Sequence, residues 1–243
     1  MKQFKMMALA AMTLLMGMTM ASCLGSSEGD NKATQNVIAL YENGTLEQFG
    51  GGTLIPKNSN YMPSTPGIYT FGIEYDPTTW KDNKLEVTIT STPISMMNNN
   101  VVQGENKGNV NMYDLNYQDE LTPVMFNADY ILVPVIFWVE NVNADAMPKE
   151  EAKHHFYLQA PSDLHNEEGI LELTIYDVVD DPEVERTKSS YIYQAFNLHH
   201  IIEGFKAANG TLKKIRVSAM VNRVSNDPTY GNTIKEAYDI DYK

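Results

Sequence analysis

The sequence contains a single cysteine, Cys23, in 243 residues. Because a disulfide needs two thiols, we expect the chain to fold without an internal disulfide. Basic residues are also scarce: 18 lysines and arginines face 31 acidic residues, and the formal net charge is −13. A chain of this charge is repelled by phosphate backbones, so we do not expect nucleic acid as a partner.

No apolar run is long enough for a membrane-spanning helix. The apolar stretch near the start, residues 6–20, has 15 residues, whereas a spanning helix needs about 20. It follows Lys2 and Lys5 and ends in small residues. A basic start, a short apolar core and a small-residue end are typical of a secretory signal, which we favour over a transmembrane anchor.

Cys23 directly follows this segment, after Ala21 and Ser22. The arrangement resembles a bacterial lipobox, with Met20 in place of the usual leucine. The resemblance implies a signal peptide over residues 1–22 and a diacylglyceryl group on the Cys23 sulfur. The alternative is an ordinary cleavage site beside a chance cysteine. Two or more acyl chains would hold the protein durably, and the acidic body would not bind anionic headgroups by itself.

A small polar segment, residues 23–33, follows and predicts a flexible tether. We then expect a β domain over residues 34–96. Asn43-Gly44 is a strong hairpin signal, and Leu85, Val87 and Ile89 alternate with polar residues as in a half-buried strand. Asparagine and glycine dominate residues 97–111, which we interpret as a linker between two domains.

Residues 112–243 carry several apolar-alternating segments separated by turn formers, which predicts a sandwich or barrel. One segment changes period. Leu198, Ile201, Ile202 and Phe205 have helical spacing, and Asn197 can cap the start. We therefore predict one short helix near residues 198–208.

The lipobox cysteine, the tether, and the segments "LYENGTLEQ", "GIYTFGIEYD" and "YIYQAFNL" together resemble the NigD-like lipoproteins of Bacteroidetes. The resemblance implies an all-β chain, with a small OB-like N-terminal barrel followed by an antiparallel β-sandwich that carries the short helix. It also implies an outer-membrane lipoprotein and supplies no catalytic residues. Bacteroidetes surface lipoproteins carry acidic residues soon after the cysteine, and Glu28 and Asp30 lead us to favour the cell surface over the periplasmic face.

Two sets of residues are candidates for a site. Asp177, Asp180, Asp181 and Glu183 lie close together in the sequence, and calcium favours several carboxylate oxygens. A solvated acidic loop is the alternative, and we predict no other cofactor. Trp80 stands among turn formers, where an exposed ring could stack on a sugar, although such a ring can also cover a domain edge.

Three functions compete at this stage. The first is a cell-envelope lipoprotein that binds a protein or glycan without catalysis, and we favour it because the tether and the β domains fit it. The second is an envelope hydrolase acting on glycans, which would need two facing carboxylates. The third is a fimbrial or structural subunit. Such subunits are matured at an arginine near the N-terminus, but the first arginine here is Arg186.

Overall fold

The computed structural model describes residues 32–105, 107–115 and 121–243. The predicted signal peptide, Cys23 and the tether up to residue 31 lie outside these residues. The chain divides into two compact units, the first ending at Met97 and the second beginning at Asn98. Both are built mainly of strands, so the predicted all-β class is confirmed. In the described part of the chain, no helix combines the length and apolarity that a membrane crossing requires.

The first unit is a closed barrel. Its strands are β1 (Ala33–Glu42), β2 (Thr45–Gln48), β3 (Thr53–Pro56), β4 (Gly67–Tyr75), β5 (Lys84–Ile89) and β6 (Ile94–Ser95). They follow the order β1-β2-β3-β5-β4, β1 pairs again with β4, and β6 adds to the other edge of β4. Five strands closed in this order form the small barrel that the resemblance to NigD-like proteins implies.

Local chemistry explains the barrel strands. Asn43 and Gly44 both have positive φ, as a two-residue hairpin turn requires, and they join β1 to β2. In β5, the alternating residues Leu85, Val87 and Ile89 are at most 3% exposed and face the barrel core. The alternation therefore predicts correctly which face of β5 is buried.

The second unit is a sandwich of two sheets. Its strands are β7 (Val101–Gln103), β8 (Val124–Met125), β9 (Tyr130–Val139), β10 (His154–Ala160), β11 (Ile170–Val179), β12 (Lys188–Asn197), β13 (Lys214–Val221) and β14 (Ile234–Asp241). One sheet has the order β14-β13-β11-β10-β7 and the other β12-β9-β8. Side chains of both sheets meet in one apolar core, which confirms the sandwich.

The larger sheet is not wholly antiparallel. β7 runs parallel to β10, and β11 runs parallel to β13. The chain leaves β11, passes through β12 in the other sheet and then through a helix before it returns as β13. A long crossover of this kind allows a parallel pairing, which alternation within single strands could not reveal.

The segment 97–111, interpreted from the sequence as a linker, contributes residues to the second unit. β7 lies within it, Asn100 donates a side-chain hydrogen bond to the carbonyl of Phe156 at 3.2 Å, and Asn109 exchanges two hydrogen bonds of 2.7 and 2.8 Å with the backbone of Val179. Asparagine side chains here bond to the sheet backbone, although their abundance is also typical of a loop.

Two α-helices lie in the residues that the structure describes, α1 (Met147–Glu151) and α2 (His199–Asn209). α2 matches the predicted helix, buries Ile202 and Phe205 in the sandwich core, and begins where Asn197 Oδ1 accepts from the backbone N–H of His199 at 2.9 Å. α1 was not predicted, because five residues are too few to show a helical period.

Candidate functional site

The predicted acidic cluster lies at the end of β11 and in the loop that follows. Asp177 Oδ2 is 2.6 Å from His154 Nδ1, and Asp180 Oδ1 is 2.9 Å from His155 Nε2. Asp181 contacts Arg186 and Lys153, and Glu183 is exposed. These carboxylates have different protein partners, and across residues 32–105, 107–115 and 121–243 no group of three or more His, Cys, Asp or Glu is arranged to hold a metal ion.

A buried ion pair lies at the centre of this region. The side chains of Arg186 and Glu150 are 0% and 1% exposed, and Arg186 Nε lies 2.9 Å from Glu150 Oε1. Arg186 also donates to the carbonyls of Asp181 and Val184 at 3.1 and 3.2 Å. The guanidinium thereby fixes the acidic loop against α1, because it bonds to both.

Lys153 completes the network. Its ammonium contacts Glu140, and lies 2.9 Å from both Glu150 Oε2 and Asp181 Oδ2. These hydrogen bonds raise the pKa of Lys153. Burial alone would raise the pKa of Glu150, but bonds from Lys153 and from the backbone of Glu140, with the charge of Arg186, lower it to about 2. Burial would also raise the pKa of Asp181, but hydrogen bonds from Lys153 and Arg186 and their positive charges lower it.

His154 and Asp177 form a buried pair beside the network, with side chains 0% and 1% exposed. His154 Nε2 lies 3.7 Å from Glu150 Oε1, and the imidazole packs against the ring edges of Phe137 and the face of Phe156. Burial raises the pKa of Asp177, and the hydrogen bond from His154 opposes this effect. His155, next in the strand, points outward and is about half exposed, as strand alternation predicts.

Two of the four acidic residues, Asp177 and Asp181, therefore belong to an internal charge network that holds α1, β10, β11 and the loop 180–187 together, whereas Asp180 and Glu183 are exposed. Sequence reasoning missed Glu150, Lys153 and Arg186 because the contacts that join them link distant segments, as in the 36 positions that separate Glu150 from Arg186.

Strand pairing brings three segments to one end of the barrel. Ala33, the first residue of β1, pairs with Tyr75, the last residue of β4. Thr53, the first residue of β3, pairs with Lys84, the first residue of β5. The point where the chain enters β1, the β2–β3 connection and the β4–β5 loop therefore share one end, which we call the entry end.

Trp80 lies at the entry end, on a fixed loop. Asp76 Oδ1 accepts from the backbone N–H and the hydroxyl of Thr78 at 2.9 and 2.7 Å, which caps the 3-10 helix Pro77–Thr79 just before Trp80. The indole packs over Gly52, so closely that a Cβ on Gly52 would lie 2.6 Å from the ring. Even so, Trp80 remains 41% exposed. The predicted exposure of this ring agrees with the structure, and the close glycine explains how the ring is held.

A shallow groove crosses the outer face of the larger sheet in the second unit. It has a volume of about 600 Å³ and is lined by Glu172, Arg216, Lys235, Ala237, Tyr238 and Asp239. Arg216 binds Asp239 through two hydrogen bonds of 2.6 and 2.9 Å and Glu172 through one of 3.2 Å. The bond with Arg216 lowers the pKa of Asp239. The groove thus presents fixed charges of both signs around small Ala237.

Solved structures with the same architecture come from species of Bacteroides. A protein of Bacteroides fragilis, provisionally named a lipoprotein, superposes with a TM-score of 0.73 at 22% identity, over 87% of this chain and 98% of its own. The fold of this chain is the fold of that protein. A NigD-like immunity protein of Bacteroides caccae gives a TM-score of 0.51 at 11% identity, over 89% of this chain and 100% of its own.

A protein of unknown function from Bacteroides vulgatus is similar to the same degree, with a TM-score of 0.52 at 11% identity, over 87% of this chain and 91% of its own. No family model and no curated protein matches the sequence. The predicted resemblance to NigD-like proteins is confirmed at the level of the fold.

Proposed function

We propose that this protein is a lipid-anchored protein of the cell envelope that binds a protein or glycan without catalysing a reaction. Attachment would occur through acyl chains on Cys23, at the outer membrane and on the cell surface. The name of the Bacteroides fragilis relative supports the lipoprotein assignment, and the name of the Bacteroides caccae relative, an immunity protein, favours a protein as the first ligand to test.

The observation that carries the binding role is the open groove in the second unit, which is lined by charged and aromatic side chains. Its paired charges can form hydrogen bonds with a polar surface. By contrast, the acids and bases of the charge network are committed to one another inside the fold: Arg186 and His154 are both fully shielded from solvent. This contrast supports binding over the alternative of a glycan hydrolase.

The groove can be blocked without disturbing the core, because Ala237 is exposed on its floor. Ala237→Arg should abolish capture of the ligand in cross-linked cells and on an array of envelope glycans. Val224→Arg is the matched control, since Val224 is 63% exposed and lies outside the groove lining. If both variants capture the ligand as well as the wild type does, the groove is not the binding site. If the protein turns over glycoside, ester or peptide substrates, it is an enzyme and the proposal of binding without catalysis is wrong.

A further inference from the structure

We propose that the entry end of the barrel faces the lipid bilayer and that the Trp80 ring inserts into its interfacial layer. This inference rests on the proposed function in one respect, namely that the chain is held to the membrane at Cys23. It assigns a lipid contact to a residue that sequence analysis offered as a platform for sugars.

The first argument is the direction in which the chain leaves the barrel. Lys32 precedes Ala33, and Ala33 pairs with Tyr75 at the entry end. The β4–β5 loop that carries Trp80 begins at the very next residue, Asp76. The segment that leads back to Cys23 and the exposed indole therefore leave the same end of the barrel.

The second argument is length. Eight residues separate Cys23 from Lys32, so this segment can span at most roughly 30 Å even when fully extended. The nine residues of β4 run from the opposite end of the barrel to the entry end, a distance of about 30 Å at the usual rise of a strand. The opposite end could therefore reach the bilayer only if the anchoring segment folded back along the barrel, whereas the entry end reaches it directly.

The third argument is the chemistry of the entry end. Tryptophan combines an apolar ring with an N–H donor and is enriched at the membrane interface. The segments around it carry three lysines, Lys32, Lys81 and Lys84, and three acidic residues, Glu74, Asp76 and Asp82, so their formal charges balance. In a chain of net charge −13, this is a surface that anionic headgroups do not repel.

The chain provides its own spectroscopic probes for a test. Trp80 and Trp138 are the two tryptophans. Trp138 is 5% exposed and donates its indole N–H to the carbonyl of Asn222 at 3.0 Å, so it should report no contact with solvent or lipid. The chain from Cys23 onward would be coupled through its single thiol to a maleimide lipid, in vesicles of phosphatidylethanolamine and phosphatidylglycerol. Coupling makes this test independent of natural lipid attachment.

We expect lipids brominated near the headgroup end of the acyl chain to quench the Trp80 emission of the coupled protein. The emission spectrum that remains should then be that of Trp138. Lipids brominated near the terminal methyl should quench less. Trp80→Phe should abolish the quenching, since only Trp138 remains. A control is Glu42→Trp in the Trp80→Phe protein: Glu42 is exposed and is the last residue of β1, paired with Thr45 at the β1–β2 hairpin, whereas Ala33 at the entry end is the first.

Quenching of Trp80 without quenching of the tryptophan at position 42 supports the proposal. Absence of quenching at Trp80, or equal quenching at both positions, overturns it. A saturable change in Trp80 emission on adding maltohexaose, without quenching by any lipid, overturns it in favour of sugar stacking. Failure of natural attachment at Cys23 would instead appear in membrane fractionation of cells, and would count against the proposed function alone.

Discussion

Replacing Glu150 by glutamine removes the buried negative charge that Arg186 and Lys153 both contact. In the native protein Glu150 Oε1 accepts from Arg186 Nε at 2.9 Å and from the backbone N–H of Glu140 at 3.1 Å, while Oε2 lies 2.9 Å from Lys153 Nζ. The amide oxygen of glutamine can replace only one of these two oxygens. Its NH₂ group would then face a donor, and Arg186 would lose its fully buried counter-charge.

The expected cost follows from the pKa. The pKa of Glu150 falls from 4.5 to about 2 in the folded protein, which corresponds to about 3 kcal/mol in favour of the ionised, folded form. Breaking a buried ion pair by removing one partner costs about 3–5 kcal/mol, in agreement. For a unit of this size, about 3 kcal/mol lowers the midpoint of thermal unfolding by roughly 6–12 °C.

The same pKa fixes the pH dependence. A carboxyl whose pKa is lower in the folded state stabilises the fold above its unfolded pKa, and this contribution disappears as the pH falls through the folded value. The stabilisation from Glu150 should thus be complete above pH 4.5 and lost as the pH approaches about 2. The difference between wild type and Glu150→Gln should shrink over that window.

Unfolding of the second unit can be followed by Trp138 fluorescence in the Trp80→Phe protein, because the two tryptophans lie in different units. Glu203→Gln is the control: Glu203 is 59% exposed, and its ion pair with Lys206 at 3.3 Å lies on the surface, so its loss should cost less than about 1 kcal/mol. A Glu150→Gln protein that is as stable as this control at pH 7, or a deficit that persists unchanged at pH 2.5, would refute the reasoning.

Two further predictions concern the barrel and the anchor. Gly51→Ala and Gly52→Ala meet the same backbone strain, since their φ values are +103° and +104°, but only at Gly52 would the new Cβ meet a neighbour, the Trp80 ring at 2.6 Å. In denaturant titration Gly52→Ala should therefore be less stable than Gly51→Ala by about 1 kcal/mol or more. Equal stability of the two variants would show that the ring moves freely. Cys23→Ala should leave the circular dichroism spectrum unchanged and move the protein from the membrane fraction to the soluble fraction, because acyl chains and not basic residues provide the attachment. Continued membrane association of the variant, or an unmodified Cys23 in mass spectra of the wild type, would contradict this prediction.

The sequence predicts those parts of the fold that are determined by neighbours along the chain. The Asn43-Gly44 turn, the buried face of β5 and the limits of α2 follow from φ preference and apolar period. These features are local, because a turn or an amphipathic face is encoded within about ten residues.

The charge network could not be predicted in this way. Asp177 and Asp181 look like members of one acidic loop, yet each is held by a base from another element, His154 and Lys153 respectively. Their roles depend on which strands pair, which alternation does not determine. The same limitation applies to the segment 97–111, where asparagines bond to a sheet whose register is invisible in their own sequence.

The outermost strand of the larger sheet, β14, affects how neighbouring copies of the molecule can contact one another. Within the described part of the chain it pairs with β13 alone, and an open edge of this kind can recruit a strand from a neighbouring molecule. Glu236 of β14 points toward the sandwich interior and binds Arg223 at 2.8 Å, next to Asp114. A neighbour that added a strand here would have to cover this ionic group and the exposed charges of Lys235 and Asp239. The proposed attachment at Cys23 would confine the molecules to a membrane plane, where they would meet often, and these charges would then oppose edge-to-edge pairing.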